Sequence, residues 1–330
     1  MKTIYFYEAF EEEEVSLKKF LPKNVEAGFT WKTIQEAGHE LPPAKIISTR
    51  TQSIYPESWA DKLDAIISRS TGYDHLLEYR EKTNSQIRMG HLPLYCNRAV
   101  AEHALMSILV LLRKLSEQTR QFRKFERDGL TGYELQEKTL VVYGVGNIGY
   151  EMVKIGRGLD MTVFGVDIVK RHKDVKYISP EKGAQIADII VCAMNLTKDN
   201  VDYFNEKFFQ KVKKNLVFIN VSRGEISPSS ILLNQLENQK IAGVALDVFD
   251  HEKKLAVSLR QAQGAGKAPL RQALSADEEV IAVQKMMNMD NVLLTPHNAF
   301  NTRESVERKS QQTIEQLIFF LENNKFIWQV

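Results

Sequence analysis

Arg223, Glu252 and His297 each sit at the end of a short apolar run: NLVFINV before SRGE, KIAGVALDVF before DHE, and NVLLTP before His297 itself. Taken one at a time these residues have ordinary readings, a surface ion-pair arginine, a solvated carboxylate and a histidine in a Pro-containing turn. Together they form a set with a chemical use. A guanidinium grips a carboxylate through two parallel hydrogen bonds, an imidazole exchanges a proton near neutral pH, and a carboxylate orients an imidazole and stabilises its cation. If the three runs are strands of an open parallel sheet, their carboxyl ends share one edge, where ligands of such sheets bind.

A second constellation lies upstream. Gly144-Val145-Gly146-Asn147-Ile148-Gly149 follows the strand-like TLVVY and opens a helical stretch. In that setting the first glycine makes a tight turn, the second lets the backbone approach a pyrophosphate, and the third permits close helix packing, while the helix N-terminus offers N–H donors. The next apolar run ends at Asp167, 18 residues past the last glycine, near the spacing at which a carboxylate accepts hydrogen bonds from an adenosine ribose. That charge repels a 2′-phosphate, so NAD is expected over NADP, with Lys170, Arg171 and His172 just beyond to soften the preference. A nicotinamide site serving a 2-hydroxy acid needs a cation for the carboxylate, a proton acceptor for the hydroxyl and an orienter for that acceptor. Arg223, His297 and Glu252 supply these three.

The elements that must position these residues follow from the rest of the chain. Its 330 residues, 43% hydrophobic and 26% charged, predict about two globular domains rather than a disordered chain. A net charge of +2 offers no global field for nucleic acid or acidic lipid, and the longest apolar stretch, Ala104 to Leu112, is too short to span a bilayer. Cys96 and Cys192 have neither disulfide-framework nor metal-ligand spacing, so no metal is expected and a reducing cytoplasm fits. The N-terminus lacks the apolar core of a secretory signal.

TIYFY, AKIIST and DAIIS alternate with amphipathic segments in the first hundred residues. A second series, TLVVYG, MTVFGVD, ADIIVCAM, NLVFINV, KIAGVALDVF and NVLLTPH, follows. Such repetition predicts doubly wound parallel sheets. Between the series, Arg98 to Phe122 reads as one long helix, apolar nearly all round. After them, Asn301 to Asn324 reads as an amphipathic helix burying Val306, Ile314, Leu317 and Leu321. The 44 residues between Glu252 and His297 form a partly helical excursion at 253–290, with Ser275 as a candidate cap of a helix ending near Met287. His103 is expected to be satisfied by packing or a hydrogen bond within its helix, and His251 to be exposed.

AVAEHA, GVGNIG with Asp167, INVSRGE, GVALDVFDHE and LLTPHNAF, in that order, resemble the D-isomer-specific 2-hydroxyacid dehydrogenase family over nearly the whole chain, most closely its D-lactate dehydrogenase branch. The resemblance implies catalytic roles for Arg223, Glu252 and His297. It implies cofactor contacts at Gly144, Gly146, Asn147, Ile148, Gly149, Asp167, Asn200, Val221, Ser222 and Asp247, the last near the nicotinamide amide. Substrate contacts are implied at Thr71 and Gly72, through backbone N–H groups, and at Tyr95, Arg223 and Phe300. The implied architecture is a Rossmann NAD-binding domain, residues 98–299, inserted into a flavodoxin-like substrate domain, residues 1–97 and 300–330, with the active site between them and domain closure excluding water. The implied activity is NAD-dependent interconversion of a small 2-oxo acid and its D-2-hydroxy acid by a homodimer that pairs through the helix from Arg98. Oxidation should fail at low pH, where the imidazole is already protonated, and reduction at high pH.

Two alternatives share the triad: oxidation of another small anion such as phosphite, and a dinucleotide-sensing corepressor. Formate chemistry is disfavoured, since formate enzymes of this superfamily carry Gln where Glu252 stands. The chain also departs from the family pattern. Ala193-Met194-Asn195 replaces the usual HVP, and the arginine common near Ala9 or Phe10 in the D-lactate branch is missing.

Overall fold

The computed structural model describes residues 2–264 and 277–330. The chain divides into two compact units, one made of residues 1–96 and 301–330, the other of residues 97–300. Phe300 therefore belongs with the second unit.

The first unit carries strands β1 (Lys2–Phe6), β2 (Ala27–Phe29), β3 (Ala44–Thr49), β4 (Ala65–Ser68) and β5 (Arg88–Gly90), with helices α1 (Glu11–Phe20), α2 (Ile34–Ala37) and α3 (Asp74–Thr83) between them. All strand pairs are parallel and the order is β2-β1-β3-β4-β5, the flavodoxin-like arrangement. Period-two alternation sorts the two faces. Ile4, Phe6, Ile46, Ala65 and Ile67 pack with Leu17 of α1 and with Ile314, Leu317 and Phe320 on one side. Tyr7, Ile47, Ile66 and Met89 pack with Trp59, Leu76 and Tyr79 on the other.

The second unit carries α4 (Asn97–Leu112), α5 (Leu115–Gln121), β6 (Thr139–Tyr143), α6 (Asn147–Gly158), β7 (Thr162–Val166), α7 (Pro180–Ile186), β8 (Ile189–Cys192), α8 (Glu206–Gln210), β9 (Leu216–Asn220), α9 (Ser229–Glu237), β10 (Ile241–Leu246), α10 (Glu252–Gly264), α11 (Glu278–Met286) and β11 (Val292–Leu294). Its sheet is parallel throughout, in the order β11-β10-β9-β8-β6-β7. A single parallel bridge from Gly165 to Tyr177 stands where a further edge strand would pair with β7. Counting it gives the strand order of a Rossmann sheet.

The final helix, α12 (Arg303–Asn323), belongs to the first unit. It is capped by Thr302, whose side chain accepts from Ser305 N–H, and ends on Asn324 in the left-handed region.

Three details correct the sequence reading. The long helix from Arg98 is broken: α4 stops at Leu112, Lys114 turns left-handed with φ 52°, and α5 starts afresh. Leu112 O, freed at the break, accepts from Tyr133 N–H. Nor is α4 buried all round, since Met106 and Leu109 are 43% and 40% exposed. On α12, Leu321 faces outward while Phe320 is buried. Part of the excursion, with Ser275, lies outside the described residues. Within them, Asp277 caps α11 by accepting from Glu279 N–H. Cys96 and Cys192 are free and buried, and no described helix is long and apolar enough to cross a membrane.

Candidate active site

Because β9, β10 and β11 are neighbours and parallel, the chain leaves all three at the same edge of the sheet. Arg223 lies three residues past β9, Glu252 opens α10 after β10, and His297 lies three residues past β11. Gly224 lets the first two turns approach: a β-carbon there would stand 1.8 Å from the Phe249 carbonyl carbon, so no other residue fits without moving backbone.

The Arg223 turn is built around Asn220, a fully buried side chain that sequence reasoning passed over. Its amide nitrogen donates to Arg223 O (2.8 Å) and Ser227 Oγ (2.7 Å), and its oxygen accepts from Ser222 N–H (2.9 Å) and Ser222 Oγ (2.8 Å). Ser222 Oγ also meets Cys192 Sγ at 3.1 Å, and burial pushes that thiol up to about 11, keeping it protonated and inert. A polar residue closing the otherwise apolar LVFI run was the available signal.

His297 takes a left-handed conformation, φ 51°, which is costly for a residue with a β-carbon. The surroundings hold it there. Asp247, 3% exposed, accepts from Thr295 Oγ1 (2.6 Å) and Asn298 N–H (2.8 Å) on one oxygen and from Ala299 N–H (2.9 Å) on the other. These contacts clamp the turn on both sides of His297. The Asp247 carboxylate, which the family resemblance places near the nicotinamide amide, also holds the turn that presents the imidazole. Behind it His103 Nε2 meets Thr295 Oγ1 at 3.0 Å. Burial lowers the His103 pKa, and Asp247 partly opposes this. Because Thr295 Oγ1 donates to Asp247, it accepts from the His103 Nε2–H.

Within this turn His297 Nδ1 lies 2.9 Å from Glu252 Oε2 and 3.1 Å from Oε1, both side chains about three-quarters buried. Glu252 is the first residue of α10, where the helix dipole favours a carboxylate. This pairing fixes the tautomer and leaves Nε2 for proton exchange. The neighbouring His251 is exposed and bonded through Nδ1 to Asp277, which raises its pKa; it takes no part in the pair.

The glycine loop sits between β6 and α6 at the point where the strand order reverses. Gly144 has φ +87° and a β-carbon there would meet Met194 N at 2.6 Å, while one on Gly149 would meet Gly144 O at 1.9 Å. Gly146, the N-cap of α6, is different: a β-carbon there would meet nothing within 4 Å. The loop is therefore tight against the protein at both ends and open in the middle, beside the N–H groups that begin α6 at Asn147 and Ile148. This is the shape a pyrophosphate requires, so the residues present fit NAD. Asp167 supports the loop, accepting from Val145 N–H (2.6 Å) and Val169 N–H (2.8 Å). Where HVP is replaced by Ala193-Met194-Asn195, Asn200 supplies the bracing, donating to Asn195 O and accepting from Thr197 N–H, each at 2.7 Å. Val221 is buried beside β8, its N–H bonded to Cys192 O.

The remaining candidates divide between the units. In the first, Thr71 Oγ1 lies 3.4 Å from Cys96 Sγ, Thr71 O bonds His91 Nδ1 (3.0 Å), and Ser70 Oγ donates to Gly72 O (2.7 Å). Tyr95 is buried beside them and its carbonyl accepts from Arg308 Nε. Phe300, in the second unit, is buried.

Comparison with known proteins adds the family context. The description "D-isomer specific 2-hydroxyacid dehydrogenase, NAD binding domain" matches residues 105–299. The chain is 28% identical to a D-lactate dehydrogenase of Escherichia coli (strain K12) over 237 residues, 70% of this chain and 68% of that one. It is 30% identical to a glyoxylate reductase of Thermofilum pendens over 275 residues, 79% and 73% of the two chains. A solved D-lactate dehydrogenase from Aquifex aeolicus, complexed with NAD and lactic acid, superposes with a TM-score of 0.82 at 26% identity, covering 98% of this chain and 99% of that one.

Proposed function

The chain belongs to the D-isomer-specific 2-hydroxyacid dehydrogenase family and is an NAD-dependent oxidoreductase acting on D-2-hydroxy acids, and from that premise we propose that Arg223, Glu252 and His297 carry the reaction on a short 2-oxo acid. The observation that supports this most directly is the Glu252 to His297 Nδ1 contact at 2.9 Å. NAD, when bound, supplies or takes up the hydride.

His297 Nε2 accepts the hydroxyl proton in oxidation and returns it in reduction. Glu252 holds the ring in the required tautomer and stabilises the cation formed when the ring takes up the proton. Arg223 pairs with the substrate carboxylate through two parallel bonds, a task for a planar guanidinium rather than an ammonium, and polarises the C2 oxygen. In the first unit the loop of Thr71 and Gly72 offers backbone N–H donors for a carboxylate and Tyr95 an apolar wall; in the second, Phe300 offers an apolar wall. Asp167 selects NAD over NADP; Asn147, Ile148, Asn200, Val221 and Ser222 line the dinucleotide. In this reading residues 1–96 and 301–330 form the substrate domain.

A homodimer is supported by the exposed apolar residues Met106, Leu109 and Leu115 on α4 and α5. A reducing cytoplasm is supported by the two free cysteines. The test is NADH consumption with a panel of 2-oxo acids, phosphite and formate being assayed in the oxidative direction with NAD. Reduction of at least one 2-oxo acid to the D-hydroxy acid supports the proposal. Turnover of phosphite alone, or of nothing, overturns it.

A further inference from the structure

Glu252 opens α10, and the residue before it adopts an uncommon backbone shape. His251 is left-handed, φ 52°, while its carbonyl accepts the first N–H groups of the helix, from Lys254 (2.8 Å) and Leu255 (3.1 Å). In a residue with a β-carbon that conformation must be held by its surroundings. Asp277 does this. His251 Nδ1 lies 3.0 Å from Asp277 Oδ1 and 2.8 Å from Oδ2, and Lys254 Nζ donates to Oδ2 at 2.8 Å. One carboxylate therefore grips α10 on both sides of Glu252. Cations beside a helix N-terminus are disfavoured by the dipole, and a carboxylate set between them offsets this.

Asp277 is itself fixed in place. Its Oδ1 accepts from Glu279 N–H (3.2 Å) and caps α11, whose Val280, Ala282, Val283 and Met286 are buried. Glu279 in turn accepts from the N–H groups of Ser229 and Ser230 and from Ser230 Oγ, at the start of α9. Helix α10 packs on the same platform: Leu255 is buried in the core shared with α11, and Ser258 Oγ accepts from Gln284 Nε2 (3.2 Å). Among the described residues, the charges facing His251 are Asp277, Lys254 and Asp250, whose Oδ1 lies 3.8 Å from Nε2. The bond to Asp277 raises the His251 pKa above its ordinary 6.5, against the effect of burial. The ring thus keeps its charge, and the stronger form of the bond, to higher pH than a free histidine.

We propose that Asp277 is a positioning residue for proton transfer: through His251 and Lys254 it holds the first turn of α10, and so sets how Glu252 meets His297 Nδ1. Asp277 acts through Glu252 and not on the reacting atoms. Part of the excursion between Glu252 and His297 thereby gains a use, since the chain returns at Asp277 to brace the residue from which it left. This rests on the assignment of Glu252 and His297 to the reaction. A displacement of about 1 Å at such a pair costs on the order of 100-fold in rate, so a partial loosening is readable in kcat.

Asp277→Asn tests this, because asparagine keeps the α11 cap and loses the charge that holds His251 and Lys254. The experiment measures kcat for 2-oxo acid reduction, NADH binding by fluorescence and the His251 imidazole titration by NMR in the wild type, Asp277→Asn, Glu252→Gln and the double variant. Asp277→Asn is expected to lower kcat at least tenfold, to leave NADH binding unchanged and to lower the His251 midpoint. In the Glu252→Gln background the same substitution should cost less than twofold, because the group it positions is already gone. Should Asp277→Asn fail to fold, as circular dichroism would show, Lys254→Met at a side chain 61% exposed carries the test, with at least a threefold loss and the same dependence on background. A smaller loss, an equal loss in both backgrounds or an unmoved His251 midpoint overturns the inference and leaves the reductase reading standing. Glu252→Gln as active as the wild type, or no 2-oxo acid reduced at all, overturns the reading on which the inference rests.

Discussion

Asp247→Asn separates two roles for one buried carboxylate, because the substitution keeps the shape and removes the charge. Asp247 accepts three hydrogen bonds, two on Oδ1 and one on Oδ2. An asparagine whose oxygen keeps the Thr295 and Asn298 bonds must turn its NH2 toward Ala299 N–H, donor against donor. The loss is one bond to a charged acceptor plus a buried N–H without a partner, together about 2–4 kcal/mol. For a unit of this size that lowers the melting temperature by about 4–16 °C. The turn also loses part of the clamp that holds His297 at φ 51°, and a displacement of about 1 Å costs on the order of 100-fold in rate. Thermal denaturation, steady-state kcat and a fluorescence titration of NADH read the three consequences separately. The expected pattern is lower stability, lower kcat and an unchanged NADH dissociation constant. If instead stability is unchanged and NADH binding weakens tenfold or more, Asp247 is a cofactor contact and the clamp argument is wrong.

Gly146→Ala adds a methyl group where the protein has nothing within 4 Å. Stability should therefore change by no more than about 0.5 kcal/mol, while NADH binding weakens at least tenfold; normal binding would place the pyrophosphate elsewhere. Asp167→Ala should raise the NADPH-to-NADH ratio of kcat/KM at least tenfold, and an unmoved ratio would remove Asp167 as the selector. Burial would raise the Glu13 pKa, but Arg69, Lys309 and Arg50 pull it down to about 2 from an ordinary 4.5. The stability this represents is present above pH 4.5 and lost as pH falls toward 2. At about 1.4 kcal/mol per unit this comes to about 3 kcal/mol. Urea unfolding between pH 6 and pH 3 should show that slope in the wild type and lack it in Glu13→Gln; equal slopes would contradict the pairing.

Features that repeat by residue type and spacing were legible in the sequence. The β-branched runs became buried parallel strands, and the glycines of the loop announced themselves by their intervals. Arg223, Glu252 and His297 could be read because each follows such a run, so parallel pairing alone brings them to one edge. Features that depend on a partner distant in sequence were not legible. Asp247 reads as an acid at a strand end, and nothing local says that its acceptors serve Asn298 and Ala299, some fifty residues on. Glu13, in a run of four glutamates on α1, reads as solvated, yet it alone of the four pairs with Arg69 and Lys309 in the interior. The break after Leu112 was hidden for another reason: RKLSEQ carries no proline or glycine, and Lys114 adopts the left-handed turn only because the surrounding fold requires it.

His297 is proposed to move the proton while its partner Glu252 orients it. The most direct measurement is single-turnover reduction of a 2-oxo acid by enzyme preloaded with NADH, comparing the wild type with His297→Asn and monitoring NADH directly. The expected rate is at least 1,000-fold lower, on the order expected when a general acid is removed together with its orientation, with NADH binding intact. A rate within about tenfold of the wild type, in a folded variant that binds NADH normally, would contradict it.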